Sequence, residues 1–257
     1  MIDPRAIVHP GAELHSDVDV GPFAVIGPRV RLGKGTSVGS HSVIEGNTVV
    51  GEGCRIFPFA SVGSVPQDLK YRGEDTRLEI GDRTVVREFA TVNLGTAGGG
   101  GVTRVGRDCL LMAYTHVAHD CQLGDRVIMA NAATLAGHIV VQDWAFVGGL
   151  SAVHQFVRIG QHAFIGGCTA VSMDIPPYVS ASGNRARLVG LNLVGLKRRG
   201  FGEESLKALR KAYRALFQSK EILTRALETV RQSPEYSFEE VRNLVEFIAR
   251  SERGVTR

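Results

Sequence analysis

Long apolar runs are missing from this 257-residue chain. No stretch approaches the roughly 18 consecutive apolar residues of a membrane-spanning helix, so none is expected. The opening residues, Met1 to Ala12, include Pro4 and mixed charge but no apolar block. A secretory signal is therefore not expected, and the cytoplasm is the expected compartment. Strong charge is missing too. Thirty basic against 26 acidic residues leave a net +4, too mild for a nucleic-acid binder, and no basic stripe interleaved with aromatics supports one. Basic residues gather after Asn184, which suits an acidic partner. CxxC spacing is absent from the four cysteines, Cys54, Cys109, Cys121 and Cys168, so the reading is reduced packing thiols rather than a metal or redox motif.

What the chain does have is a beat of six. From Val105 every sixth residue is apolar, through Leu111, Val117, Leu123, Met129 and Leu135 to Val171. A matching series runs from Val8 to Val62 and resumes in phase at Ile80, Val86 and Val92. Small side chains usually follow four positions later, as at Ala24, Ser42, Cys54, Cys109, Cys121 and Ala163. Six is neither a helical period nor plain alternation; it is the hexapeptide signature of a parallel β-helix. Three hexads make one triangular coil, and coils stack at strand spacing, roughly 4.8 Å. The periodic residue points inward. Proteins with this repeat resemble left-handed β-helices, against the usual right-handed crossover; the handedness comes from that resemblance.

The expected fold is mainly β: a left-handed parallel β-helix over residues 1–185, then a small α-helical cap over 186–257. Two interruptions, 64–77 and 93–104, read as loops expelled from an otherwise intact solenoid, where binding residues tend to sit. The run Gly98 to Gly101 lacks a following Lys-Ser/Thr, so it reads as a flexible loop, not a phosphate cradle. Pro176-Pro177 is expected to end the solenoid. Three amphipathic helices, about 203 to 253, would cover its open end. Ser237 with Glu240 reads as a capping box, and Tyr236 as a staple onto Val241.

Counting in eighteens locates candidate chemistry. Asp120 stands one coil below His138, and His119 one coil below Gly137. His154 falls near the same edge in the next coil, two residues before Phe156. His116, His119, His138 and His154 would therefore cluster, with Asp120 against them, while His9, His15 and His41 are surface or corner residues. Three readings follow. The cluster is a polar strip bonded to carbonyls; or a histidine metal site, as in zinc carbonic anhydrases of this fold; or a general base oriented by a carboxylate.

The segments QDLKY (67–71), TRLEIGD (76–82), AHDC (118–121), TLAGH (134–138), AVHQF (152–156), IPPYV (175–179) and GLKRRGF (195–201) resemble the UDP-N-acetylglucosamine acyltransferases of lipid A biosynthesis. The likeness spans the chain. It implies a homotrimer with sites between adjacent subunits, and transfer of an (R)-3-hydroxyacyl group from acyl carrier protein to the 3-hydroxyl of UDP-N-acetylglucosamine. It implies no metal and no cofactor, since the acyl group rides on the carrier's phosphopantetheine. By resemblance His119 is the general base, Asp120 orients it, and the Gly137 N–H meets the oxyanion. His116, His138, His154 and Gln155 line the sugar and thioester site. Asp68 holds the sugar and Lys70 the nucleotide side. Asn192 joins the substrate contacts, and Arg199 with Arg198 meets the pyrophosphate. Gly167 matches a position that limits acyl length, which points to a longer chain. Val194 departs from a glutamate in some relatives, putting one nucleotide contact in doubt, together with the choice between a 3-hydroxyl and a 3-amino acceptor. A relative that acylates a 2-amino group has an extra N-terminal domain, for which hexads starting at Val8 leave no space. A zinc carbonic anhydrase-like protein and a non-catalytic hexapeptide protein are the readings from other classes.

Overall fold

The computed structural model describes residues 1–257. Most strands are two residues long, and each of these ends on a member of the six-residue series. They stack into three sheets of 9, 8 and 10 strands, parallel throughout except for one closing hairpin on the third, the faces of a triangular prism. The first face carries Ile7–Val8 and every third strand thereafter, the second Glu13–Leu14 and its series, the third Asp19–Val20 and its series. Register follows the period: His116 pairs with Thr134, Thr134 with Ala152, and Ala152 with Ala170. The interruptions lengthen this step without breaking the ladder. Ser61 pairs with Thr91 and Thr91 with His116, and both loops leave the first face and rejoin the prism on the second, at the same corner.

The periodic residues line the prism interior. Ile26, Ile44, Leu111, Met129, Leu135 and Ile165 are fully buried, within one core of 43 residues. Cys54, Cys109 and Cys121 are buried thiols of that core, while Cys168 is exposed. Each corner is turned by a residue in the left-handed region, usually not glycine: Asp120, His138 and Phe156 at one corner, Arg126, Trp144 and His162 at the next, Tyr114, Ala132 and Leu150 at the third. An L-residue there costs about 1 kcal/mol or more; the stacked coil walls hold it in place. Residues 18 apart consequently stack in columns up each corner.

The prism does not stop at the prolines. Pro176 and Pro177 lie in the turn before the strand Val179–Ser182, where no ladder N–H is required. That strand continues the third face, pairing Ser180 with Phe164. It then turns back on Arg187–Leu191 in an antiparallel hairpin, whose turn holds the expected 185/186 division. The cap has the three α-helices expected over about 203 to 253, preceded by a fourth: α1 (Leu193–Arg198), then α2 (Glu203–Tyr213), α3 (Leu223–Arg231) and α4 (Glu239–Ala249). The extra helix, α1, begins at Asn192, whose side chain accepts from the Gly195 N–H. The Ser237–Glu240 capping box does not form. Phe238 is the N-cap of α4 without a side-chain cap; Ser237 donates to Pro234 O, and Glu240 accepts from Ser205. Ile222, the N-cap of α3, is exposed. Prism and cap interlock through Tyr178, which sits in the cap's core, and Tyr213 of α2, which sits in the prism's.

Candidate active site

Where the first face turns into the second, the chain runs Ala118-His119-Asp120-Cys121. Asp120 is 1 % exposed in its side chain, and its position is over-determined. One oxygen accepts from the Thr96 N–H at 2.8 Å, the other from Thr96 Oγ1 at 2.6 Å and from His119 Nδ1 at 2.7 Å. Its own N–H donates to Thr103 Oγ1. Thr96 belongs to the second loop, so the glycine run is not a free loop. Its Ala97–Gly99 turn lies on the site, and a Cβ at Gly99 would overlap the Asp120 carboxylate. Glycine is needed there for close approach.

With Nδ1 bonded to the carboxylate, His119 carries its proton on that nitrogen and keeps an Nε2 lone pair. Nε2 lies against Gly137, where a Cβ would meet His119 Cε1 at 2.5 Å and Nε2 at 2.7 Å. Gly137 is buried in the turn, and its N–H donates to no protein acceptor. His138 stands edge-on to His119, with ring centroids 5.0 Å apart, and its Nδ1 is 3.7 Å from Asp120. Burial holds the His138 pKa below the ordinary histidine value, with the Asp120 charge opposing. Phe156 stacks on His138 at 4.6 Å. A 290 Å³ cavity beside His138 and Phe156 is walled by Asp68, Lys70 and Tyr71 of the first loop and by Thr96. The Lys70 N–H donates to Asp68, which holds that carboxyl below the usual range, with the Lys70 charge helping.

The other expected residues divide. His116 lies on the same face, its Nδ1 2.7 Å from Thr91 Oγ1, with its pKa lowered by burial and then by His119. His154 does not join the cluster. The column of His119 and Gly137 continues into Gln155, and that of Asp120 and His138 into Phe156. His154, one residue earlier, turns outward into a groove with Ala152, Ala170 and Arg185, where Arg253 Nη2 is 3.3 Å from its Nδ1. Gln155 is exposed beside it, accepting at its carbonyl from His154. Gly167 is exposed at the corner between the third and first faces, and a Cβ there would meet only Gly149 O, at 3.3 Å. Asn192, Val194, Arg198 and Arg199 line a 580 Å³ groove on the third face with Ile128, Phe146 and Phe164. Within one chain the histidines and the arginines thus occupy different faces. Sequence reasoning missed Thr96, Thr103 and Phe156. Only Phe156 had a signal, its place eighteen after His138.

A metal fits the cluster poorly. His119, Asp120 and His138 present ligand atoms within 4.8 Å of one another. Yet both Asp120 oxygens are already engaged, and a third histidine is not brought in. A three-histidine zinc set is not assembled.

Among known proteins, residues 174–256 match the family described as UDP N-acetylglucosamine O-acyltransferase, domain 2, and residues 103–137 the bacterial transferase hexapeptide repeats. The chain is 52 % identical over 260 residues to the acyl-[acyl-carrier-protein]–UDP-N-acetylglucosamine O-acyltransferase of Janthinobacterium sp., covering all of this chain and 99 % of the relative. It is 53 % identical to the protein of the same name from Myxococcus xanthus, with the same coverage. The solved UDP-N-acetylglucosamine O-acyltransferase of Moraxella catarrhalis superposes with a TM-score of 0.96 at 39 % identity, covering all of this chain and 99 % of that one. The fold is accordingly the left-handed parallel β-helix with a helical cap.

Proposed function

The chain belongs to the UDP-N-acetylglucosamine O-acyltransferase family, and from that premise we propose that His119 is the base of an acyl transfer from acyl carrier protein to UDP-N-acetylglucosamine, the first step of lipid A assembly. The observation that carries this reading is the Asp120–His119–Gly137 stack: a fixed imidazole, a buried carboxylate behind it and an unpaired backbone N–H in front.

The 3-hydroxyl oxygen attacks the thioester carbonyl while His119 Nε2 takes its proton. Asp120 stabilises the imidazolium that forms. The Gly137 N–H donates to the oxyanion of the tetrahedral intermediate, an interaction worth about 3 kcal/mol where water is excluded. Collapse breaks the C–S bond, and the imidazolium returns the proton to the departing phosphopantetheine thiolate. No metal or diffusible cofactor takes part. Asp68 and His138 hold the sugar, Lys70 the nucleotide side, and His116, His154 and Gln155 flank the thioester path. Asn192, Arg198 and Arg199 receive the nucleotide. Gly167 leaves room for a long acyl chain, and Gly167→Met is expected to shorten it in product mass spectra.

The separation of histidines and arginines on different faces supports a site completed by a neighbouring copy, in a cytoplasmic homotrimer. With the first face of one copy against the third face of the next, the corner between those faces points to the three-fold axis. That corner exposes a column of stacked rings, Phe23, His41, Phe59, Phe89 and Tyr114, 4.9–5.1 Å apart. Sedimentation should return three 27.7 kDa chains, and Phe89→Glu should dissociate them and abolish turnover; a stable active monomer would remove the shared site. The activity itself is tested by incubating the protein with UDP-N-acetylglucosamine and 3-hydroxyacyl carrier proteins of several lengths. A 3-O-acyl product by mass and fragmentation is expected. Acylation only of a 3-amino sugar nucleotide would reassign the acceptor.

A further inference from the structure

Arg199 is a half-buried guanidinium with no counter-charge. It makes no ion pair and no side-chain hydrogen bond within the chain, and its Nη1 is covered and unpaired. Burial lowers its pKa. A charge in that state is costly unless something holds it and something answers it. What holds it is an indole: the Arg199 Cζ lies 5.1 Å from the ring centroid of Trp144, the only tryptophan in the chain. Arg126 approaches the same ring at 4.7 Å. Above Trp144 in the corner column stands His162, 6.0 Å away and near parallel, then Tyr178 at 5.8 Å, with Phe201 edge-on to His162 at 5.0 Å. His162 Nδ1 is also buried without a partner. Burial first, and the Arg199 charge second, press its pKa down to about 4. At neutral pH the column beside Arg199 is therefore uncharged and aromatic.

We propose that Trp144, backed by His162, is a positioning residue that aims the Arg199 guanidinium into the groove lined by Asn192, Phe146 and Phe164, so that the missing counter-charge is the diphosphate of the sugar nucleotide. This rests on the nucleotide reading of that groove. Trp144 itself touches no phosphate. It supplies a flat, electron-rich face that fixes a long flexible side chain before the ligand arrives, so less freedom is lost on binding.

The test is steady-state kinetics on the intact enzyme with Trp144→Leu, Trp144→Phe and Arg199→Ala. Trp144→Leu should raise KM for UDP-N-acetylglucosamine about tenfold, as expected for losing a desolvated cation–π contact, and leave kcat and the KM for acyl carrier protein unchanged. Trp144→Phe should restore most of the loss. In the Arg199→Ala background Trp144→Leu should add nothing further, because the two act as one unit. If Trp144→Leu does not fold, Arg199→Lys keeps the cycle readable: it retains the charge and loses the planar stack, and should raise the same KM. Additive losses, an effect on kcat, or an unchanged KM in folded variants would each overturn the clamp. None of these would disturb wild-type acyl transfer, whose absence alone would sink the functional reading.

Discussion

Two corners of the same prism carry a histidine in the same left-handed turn, one eighteen-residue step along their columns, and use it in opposite ways. At the first corner His138 stands above Asp120, edge-on to His119, beside a polar cavity. At the next, His162 is enclosed by Trp144, Tyr178 and Phe201, with a guanidinium close by. The backbone is common to both. What differs is the residue one coil away, a carboxylate in one column and an indole in the other. In a stacked solenoid the neighbour that sets a side chain's chemistry is therefore the one eighteen positions distant, not the one adjacent in sequence.

The sharpest break of that contrast is at the first corner. His119→Ala should lower kcat about 10²–10⁴-fold in initial-rate measurements, the range for losing a general base. A variant within threefold of wild type would leave the corner as packing alone. Asp120→Asn comes next, at about 10² in kcat, because the amide cannot stabilise the imidazolium. It should also lower the thermal midpoint, since the carboxylate accepts both the N–H and the hydroxyl of Thr96 as well as His119, and buried bonds to a charged group contribute about 1.5–3 kcal/mol each.

The third test is made at the second corner. His162 titrates near 6.5 when unfolded and near 4 when folded. The unfolded chain therefore binds the proton more readily. Stability from keeping this ring neutral is complete above about pH 6.5 and falls as pH drops toward 4. His162→Phe keeps a ring in the column and removes the titration. Wild type should lose about 1–2 kcal/mol more than the variant between pH 7 and pH 5 in denaturant melts. Parallel pH profiles would place His162 in contact with water.

How much of this was readable follows from the same rule. The register is legible because every coil repeats it, so Asp120 under His138 and His119 under Gly137 come from arithmetic alone. His154 falls one residue short of the His119–Gly137 column and two short of the Asp120–His138 column: its backbone lies near the cluster, but the side chain leaves by the other side of the corner, and Phe156 stacks on His138 instead. Thr96 and Gly99 reach Asp120 along a loop with no period to count. Pro176-Pro177 looks terminal until the turn is seen to need no donor there. Ser237 has the spacing of a cap but spends its hydroxyl on Pro234. Trp144 and Arg199 meet across the prism–cap boundary, a contact that no local pattern announces.

The smallest expected effect bears most closely on the contrast. Phe156 stacks on His138 much as Trp144 does on Arg199, yet the two rings differ in what they alone supply. Phe156 is about half exposed, and His138 is also positioned by Asp120 and His119, so removing the ring leaves the imidazole held. Arg199 has no second holder. Phe156→Leu should therefore cost at most about 1 kcal/mol of stability and change KM for the sugar nucleotide by no more than about threefold, against the tenfold expected at Trp144. Measured side by side under the same conditions, equal losses at the two rings would mean that stacking is interchangeable between corners, and that the partner one coil away does not decide what each histidine does.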